Sequence, residues 1–336
     1  MMIRRAFRTN EFYLFLVLVA FSMTLTIINP AFFSLENLFD LIRSSAGMAV
    51  LAIGVFLVLL SGGIDVSFTA IAIAGQYVSV NALIALGVDN LYLALLISCS
   101  LGIALGSINA LLISIFEIPT LIATLGTLNV FHGALLAFVG TKAVNVGQMP
   151  DCFKAFGAEE IVTITAADGS TYGLSIYFYV VIAVVAVSWV ILRYTMLGRG
   201  IYAIGGNREA AKRAGFNIVG TQFFIYCYVG FLAGLMGVMH VSVIRYSNLM
   251  YIVGTELSVI AAVVLGGARI TGGSGSILGT ILGVAMIVIL EKNLVLMGLS
   301  SYWHQFFVGL IIIIGVSTTY YQSKLRSRRT LAYLRQ

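Results

Sequence analysis

Charge is what this chain has least of: Asp, Glu, Lys and Arg together make up 10% of its 336 residues, against 60% hydrophobic residues and a mean hydropathy of +1.04. Soluble domains carry about a quarter charged residues, so the composition excludes an ordinary soluble protein and indicates an integral membrane protein. Cysteine is nearly as sparse. Cys99, Cys152 and Cys227 have no metal-ligand spacing, and two of them fall in apolar runs, so no disulfide framework is implied. The three histidines, His132, His240 and His304, lie far apart with no HExxH pattern, and no GxSxG elbow occurs. The glycine-rich stretch GGSGSILG at 272–279 lacks the Lys-Ser/Thr of a phosphate-binding loop and is not set in a βαβ pattern. The expectation is a protein with no metal, no cofactor and no ATPase site of its own.

The few charges are placed with a pattern. Of the 19 Lys and Arg, three stand near the N-terminus (Arg4, Arg5, Arg8), five between Arg193 and Arg213, and five in the tail from Lys324 to Arg335. A net charge of +6 would also suit a nucleic-acid binder, but this clustering is the positive-inside mark of a multi-pass protein, and nucleic acid is set aside. The first apolar run, 12–28, is too long for a signal-peptide core and lacks a small-residue cleavage site, so it reads as a span. Further runs at 46–60, 68–87, 91–116, 119–139, 175–193, 218–241, 256–267, 277–297 and 303–321 bring the count to ten. Ten spans put both termini and the 194–217 loop on one face, as the charges require. The chain is then a single all-α domain, with an N-terminal half of about 1–174, a C-terminal half of about 175–321 and a basic cytoplasmic tail 322–336. Its largest segment on the other side is 140–174, a surface for an external partner or a small hairpin cap over the helices.

The basic loop contains its own short helix. Asn207 is an N-cap residue type, and Gly215 is suited to close the last turn at C′, leaving Arg208–Ala214 as about two turns. A helix this short is marginal alone in water and is expected to dock on a partner. Elsewhere two glycine-rich interruptions, SGGIDVS at 61–67 and GGARITGGSG at 266–275, share the pattern of two glycines, two residues, an aliphatic and Ser or Thr. Paired helix breaks of this kind occur near substrate paths in transporters. Asp65 sits in the first, a carboxylate among free backbone N–H groups, either a gate or a satisfied cap. Asn109, Thr124, Thr127, Asn129 and His132 place polar atoms at membrane depth, where they serve as interhelical ties or touch a hydroxylated solute. The small-residue pairs Gly102/Gly106 and Gly230/Gly234, with Gly275/Gly279/Gly283, read as close helix packing.

Four ordered motifs, SGGIDVS at 61–67, IPTLIATLGT at 118–127, GRGIYAIGGNREAAKRAG at 198–215 and ELSVIAAVVLGGARITGGSGSILGT at 256–280, resemble the permease subunits of bacterial ABC importers for ribose, galactose, xylose and autoinducer-2. The resemblance covers nearly the whole chain. Glu209-Ala210-Ala211 followed by Gly215 is also similar to the first half of the EAA motif of other importer permeases. It implies a type II-like importer permease in the bacterial inner membrane, working as a dimer with a second copy or a paralogue, in contact with lipid. Its further implied partners are a cytoplasmic ABC ATPase and a periplasmic solute-binding protein. By this resemblance Asn207, Arg208, Glu209, Ala210, Ala211, Lys212, Arg213 and Gly215 form the helix that couples to the ATPase. Gly62, Gly63, Asp65, Asn109, Thr124, Thr127, Asn129, Gly266 and Gly267 become candidates for the gate and path. Phe68-Thr69 departs from the Val-Gly usual after the first motif. Two other readings stay open: an ion-coupled secondary transporter, which would need a charge relay within its spans, and a branched-chain amino acid permease, which would need partners for both charged ends.

Overall fold

Apolar runs of 18 or more residues have one low-cost conformation in lipid, the helix, because each backbone N–H and C=O is then satisfied within the segment. The computed structural model describes residues 10–165 and 171–293, together with 300, 302–303, 305–310 and 313. Its long helices are α1 (Asn10–Ile28), α2 (Leu35–Leu60), α3 (Phe68–Leu86), α4 (Leu91–Ser114), α5 (Thr120–Ala134, continued by a π turn Leu135–Val139), α7 (Tyr177–Tyr194), α10 (Ile218–Ile244) and α12 (Ile277–Asn293). Shorter helices are α6 (Asp151–Ala158), α8 (Met196–Gly206), α9 (Arg208–Arg213) and α11 (Glu256–Leu265). Among the described residues seven helices are long and apolar enough to cross a membrane, so the chain is an all-α polytopic membrane protein. The arginines at 4, 5 and 8, most of the run 303–321 and the tail 322–336 lie outside the described residues.

Helix α10 is the central post, packed on α4, α3 and α2. Its contact with α4 is set by glycines. A methyl group on Gly102 would fall on the Gly230 carbonyl oxygen, and one on Gly230 on the Gly102 carbonyl, so only hydrogen at both sites lets the backbones touch. Gly279 and Gly283 do the same for α12 against α11. This is packing by small residues, where lipid supplies no hydrophobic drive between helices.

Two features differ from the sequence reading. The run 256–267 folds as a helix of ten residues, about 15 Å long, roughly half of a 30 Å hydrocarbon core. The chain between α10 and α11 is irregular, held by a bridge between Val144 and Ser247 and a His132 ring contact to the Leu249 carbonyl at 3.0 Å. Secondly, α3 starts inside the bundle rather than at its edge, since Gly75, two turns in, already abuts Gly234 beyond the middle of α10. The external segment folds as the small hairpin cap that was one of its two readings: it forms α6 and an antiparallel hairpin, β1 (Glu160–Thr165) with β2 (Thr171–Ser175), which contacts α2 while α6 lies on α10.

That cap is tied down electrostatically. The second amide of α6, on Cys152, has no partner within its own helix and donates to the Asp89 carboxylate at 2.7 Å. This bond holds the Asp89 carboxyl below the usual carboxylate range. A pKa lowered by folding means the tie is whole at neutral pH and is lost as the pH falls through that lowered value. Burial, then the bond and charge of Asp89, push the Cys152 thiol up to about 12.

Candidate functional site: a capped helix, a glycine junction and a buried polar chain

The basic loop folds as the sequence implies at its C-terminal end. The Asn207 side chain accepts the Ala210 N–H at 2.9 Å, with extended backbone at φ −163°. At the far end Gly215 takes φ +85°, its N–H donating to Lys212 O at 3.0 Å and the Phe216 N–H to Ala211 O at 3.1 Å. These paired bonds are the Schellman closure that stops a helix. The helix has two faces. Ala211 is 3% exposed and packs between Ile204 and Ile218, so it faces the protein's own interior. Glu209, Ala210, Lys212 and Arg213 point outward. Arg208 pairs with Glu117 at 3.1 Å, tying α9 to the α4–α5 turn, where Glu117 holds the left-handed region at φ +54°.

Sequence reasoning missed α8. Thr195 caps it by accepting the Gly198 N–H at 3.1 Å, and its buried Ile201 and Ile204 are spaced at a helical interval, so the signal was present. Its last residues run straight into Asn207, and there the two glycine-rich interruptions converge. The Gly273 N–H donates to Leu60 O at 2.9 Å. A methyl group on Gly205 would strike Leu60 O and come within 2.5 Å of Gly273 N, and one on Gly272 would lie 2.7–2.8 Å from the Gly62 and Gly205 backbones. Three stretches of bare backbone therefore meet just ahead of α9.

Both interruptions end their helices in the same way, but not in the register of their paired glycines. Gly62 has φ +83° and Gly267 φ +93°. The N–H groups of Gly62 and Gly63 bond to Leu59 O and Val58 O, as those of Gly267 and Ala268 bond to Val264 O and Val263 O. Gly62 thus corresponds to Gly267, not Gly266, which sits in the helical region as the cap of α11. Under this alignment Asp65 corresponds to Ile270, and the carboxylate has no twin.

Beyond Gly63 the chain is extended and lined by hydroxyls. The Ile64 N–H donates to Thr120 Oγ1 at 3.1 Å, and Thr124 Oγ1 donates to Ile64 O at 3.2 Å. Asp65, 1% exposed, accepts both the N–H and the hydroxyl of Ser67 at 2.7 Å. Asn109 donates to Ser67 Oγ at 2.7 Å, and Thr127 donates to Asn109 Oδ1 at 2.6 Å. Asp65, Asn109, Thr124 and Thr127 are thus joined in one buried chain of bonds. Asn129 stands apart, exposed and bonded to its own helix at Leu125 O, 2.8 Å away. A second carboxylate lies nearby: Glu256 accepts the Gly254 N–H at 3.0 Å and the hydroxyl of Thr69, in the first turn of α3. Asp65 and Glu256 therefore stand at the N-terminal ends of α3 and α11, where carboxylates suit the positive end of the helix dipole. No cluster of His, Cys, Asp and Glu able to hold a metal occurs among the described residues.

A lined space is present at the opposite end from α9. A cavity of about 350 Å³ lies between α2, α10, α11 and α12, with Arg43, His240, Tyr251, Glu291 and Lys292 on its wall. None of these was singled out as a path residue by the sequence.

Comparison with known proteins places this arrangement. Residues 37–316 match the family described as "Branched-chain amino acid transport system / permease component". The chain is 32% identical over 310 residues to the ribose import permease protein of Escherichia coli (strain K12), covering 90% of each, and 34% identical over 302 residues to that of Bacillus subtilis (strain 168), again covering 90% of each. It is 31% identical over 335 residues to the autoinducer 2 import system permease protein of Enterobacter sp. (strain 638), covering 98% of this chain and 92% of the relative. No solved structure matches. Matched from residue 37 to residue 316 and aligned along nearly its full length with ribose and autoinducer 2 import permeases of several bacteria, the group its four motifs resembled, this chain belongs to the branched-chain amino acid transport system permease family.

Proposed function

We propose that the chain is the membrane permease of an ATP-binding-cassette importer for a small sugar or sugar-like solute. The observation that carries this reading is α9: a doubly capped helix with one face packed on the protein and the other, Glu209, Ala210, Lys212 and Arg213, exposed. The named relatives import ribose and autoinducer 2, which favours a sugar-like solute over a branched-chain amino acid. In this reading α9, both termini and the basic tail face the cytoplasm of a bacterium, and the chain crosses the inner membrane. A separate ATPase subunit docks on α9 and hydrolyses the ATP. A periplasmic binding protein docks on the α6 and hairpin end, and a second permease, identical or paralogous, completes the path within the lipid.

The geometry supplies a route for force. Displacement of α9 passes through Asn207 to Gly205 and Gly206, which lie against Leu60–Gly62 and Gly272–Gly273. Both helix breaks then move together, and the Asp65 chain of bonds fixes the position of the start of α3. Ala210→Arg, on the exposed face, tests the docking. Binding-protein-stimulated ATP hydrolysis of the reconstituted importer should fall at least tenfold, with the permease folded as before; stimulation at the wild-type rate would refute docking through α9.

A further inference from the structure

The cavity at the hairpin end is used by nothing described so far, and its wall is unusual for a membrane protein. Most of it is apolar, including Met48, Met236 and Met239, yet it also carries Arg43, Lys292 and Glu291. Arg43 is half-buried, and Glu291 and Lys292 stand exposed at the rim. Arg43 is held in place, because its Nη2 donates to the Gly157 carbonyl at the end of α6. Its Nε is buried and has no hydrogen-bond partner. The volume of about 350 Å³ lies within the roughly 300–1,000 Å³ of small-molecule sites, which share this mixture of apolar wall and few polar groups.

We propose that this cavity is a transient binding site for a small, neutral, polyhydroxylated solute, entered at the end where the binding protein releases its cargo. The inference rests on the importer reading and adds to it a site within a single permease, away from the Asp65 chain. Hydroxyl oxygens accept from the Arg43 guanidinium, and hydroxyl protons are donated to the Glu291 carboxylate. The rings of Tyr251 and His240, with centroids 6.3 Å apart, offer faces for the C–H side of a sugar ring. The charged groups on the wall would also pair with a zwitterion, its carboxylate at Arg43 and Lys292 and its ammonium at Glu291; the sugar is chosen because the named relatives import ribose and autoinducer 2, and leucine is the control ligand.

The test uses the complete importer, permease with ATPase and binding protein, in proteoliposomes with D-ribose and autoinducer 2 as probes. A methyl group on Gly47 would meet only the flexible Met236 side chain, at 3.4 Å and 3.7 Å. Gly47→Leu therefore fits at its first carbon and fills the cavity with the rest. Uptake of the transported probe should fall at least tenfold while binding-protein-stimulated ATP hydrolysis stays within twofold of wild type. In a chain with Cys99, Cys152 and Cys227 replaced by serine, Ser258→Cys should react with a small charged methanethiosulfonate. The transported probe should slow that reaction at least threefold, and leucine should not. Wild-type uptake by Gly47→Leu overturns the proposal, as does labelling of Ser258→Cys that no sugar slows. Protection by leucine instead of sugar overturns the assigned solute class. Should Gly47→Leu fail to fold, the labelling alone decides. Failure of the importer reading is seen separately, as wild-type complex that shows no ATP-dependent uptake of either probe.

Discussion

Gly205 and Gly206 are neighbours of one residue type, and their surroundings give them opposite tolerances. A methyl group on Gly205 collides with Leu60 O and Gly273 N, whereas one on Gly206 meets nothing within 4 Å. Gly205→Ala should therefore cut ATP-driven uptake at least tenfold, and Gly206→Ala should leave it within about twofold, with equal amounts of both variants in the membrane. Equal activity of the two would remove the junction from the mechanism. Ser67 is the other informative residue, because it donates twice to Asp65 and accepts from Asn109. Ser67→Ala leaves the Asn109 donor without its acceptor and removes one of the two donors to Asp65 Oδ1, which keeps the Ser67 N–H. The expected loss is about 1–3 kcal/mol, read as a lower melting temperature in detergent; Asp65→Asn, which keeps an acceptor for the Ser67 N–H, should lose less. The residue types of this network were legible in the sequence as polar atoms within spans. Their mutual bonding was not, since it depends on α3 starting deep in the bundle.

At the scale of the element, α9 separates two alanines that sequence alone treats alike. Ala211 lies between Ile204 and Ile218, and Ala210 is exposed. An acid at 211 would bury a charge against apolar side chains, a severe penalty. Ala211→Asp should thus reduce the amount of folded permease, while Ala210→Arg leaves it unchanged and disrupts coupling. Size-exclusion profiles of the two purified variants check this contrast, and a well-folded Ala211→Asp chain would contradict the assigned faces. The helix itself was readable because its signals are local: Asn207 at one end and Gly215 at the other, each acting within four residues. Helix α11 was readable only as an apolar run. Its shortness depends on the preceding segment crossing as irregular chain, and that segment is positioned by Val144 and His132 from distant parts of the sequence. The paired breaks were legible as motifs, yet their register was off by one. Positive φ, not glycine count, decides which residue ends a helix, and Ser61 fills the helical cap position in α2 that Gly266 fills in α11.

At the scale of the whole molecule, the protein has two structurally distinct ends. One carries α9 and the glycine junction, and the other carries the cap and the cavity, with α10 running between them. The cavity could not be read from sequence, because four helices far apart in the chain must converge before Arg43 and Lys292 share a wall. In the proposed function an ATPase drives this permease through α9. It is tested most directly by uptake of labelled D-ribose and autoinducer 2 into proteoliposomes containing the permease with its ATPase and binding protein, wild type against Ala210→Arg. Uptake of one of these solutes should require ATP and all three components and be lost in Ala210→Arg with the permease intact. Uptake by the permease alone, without ATPase, would contradict it and point to a secondary transporter.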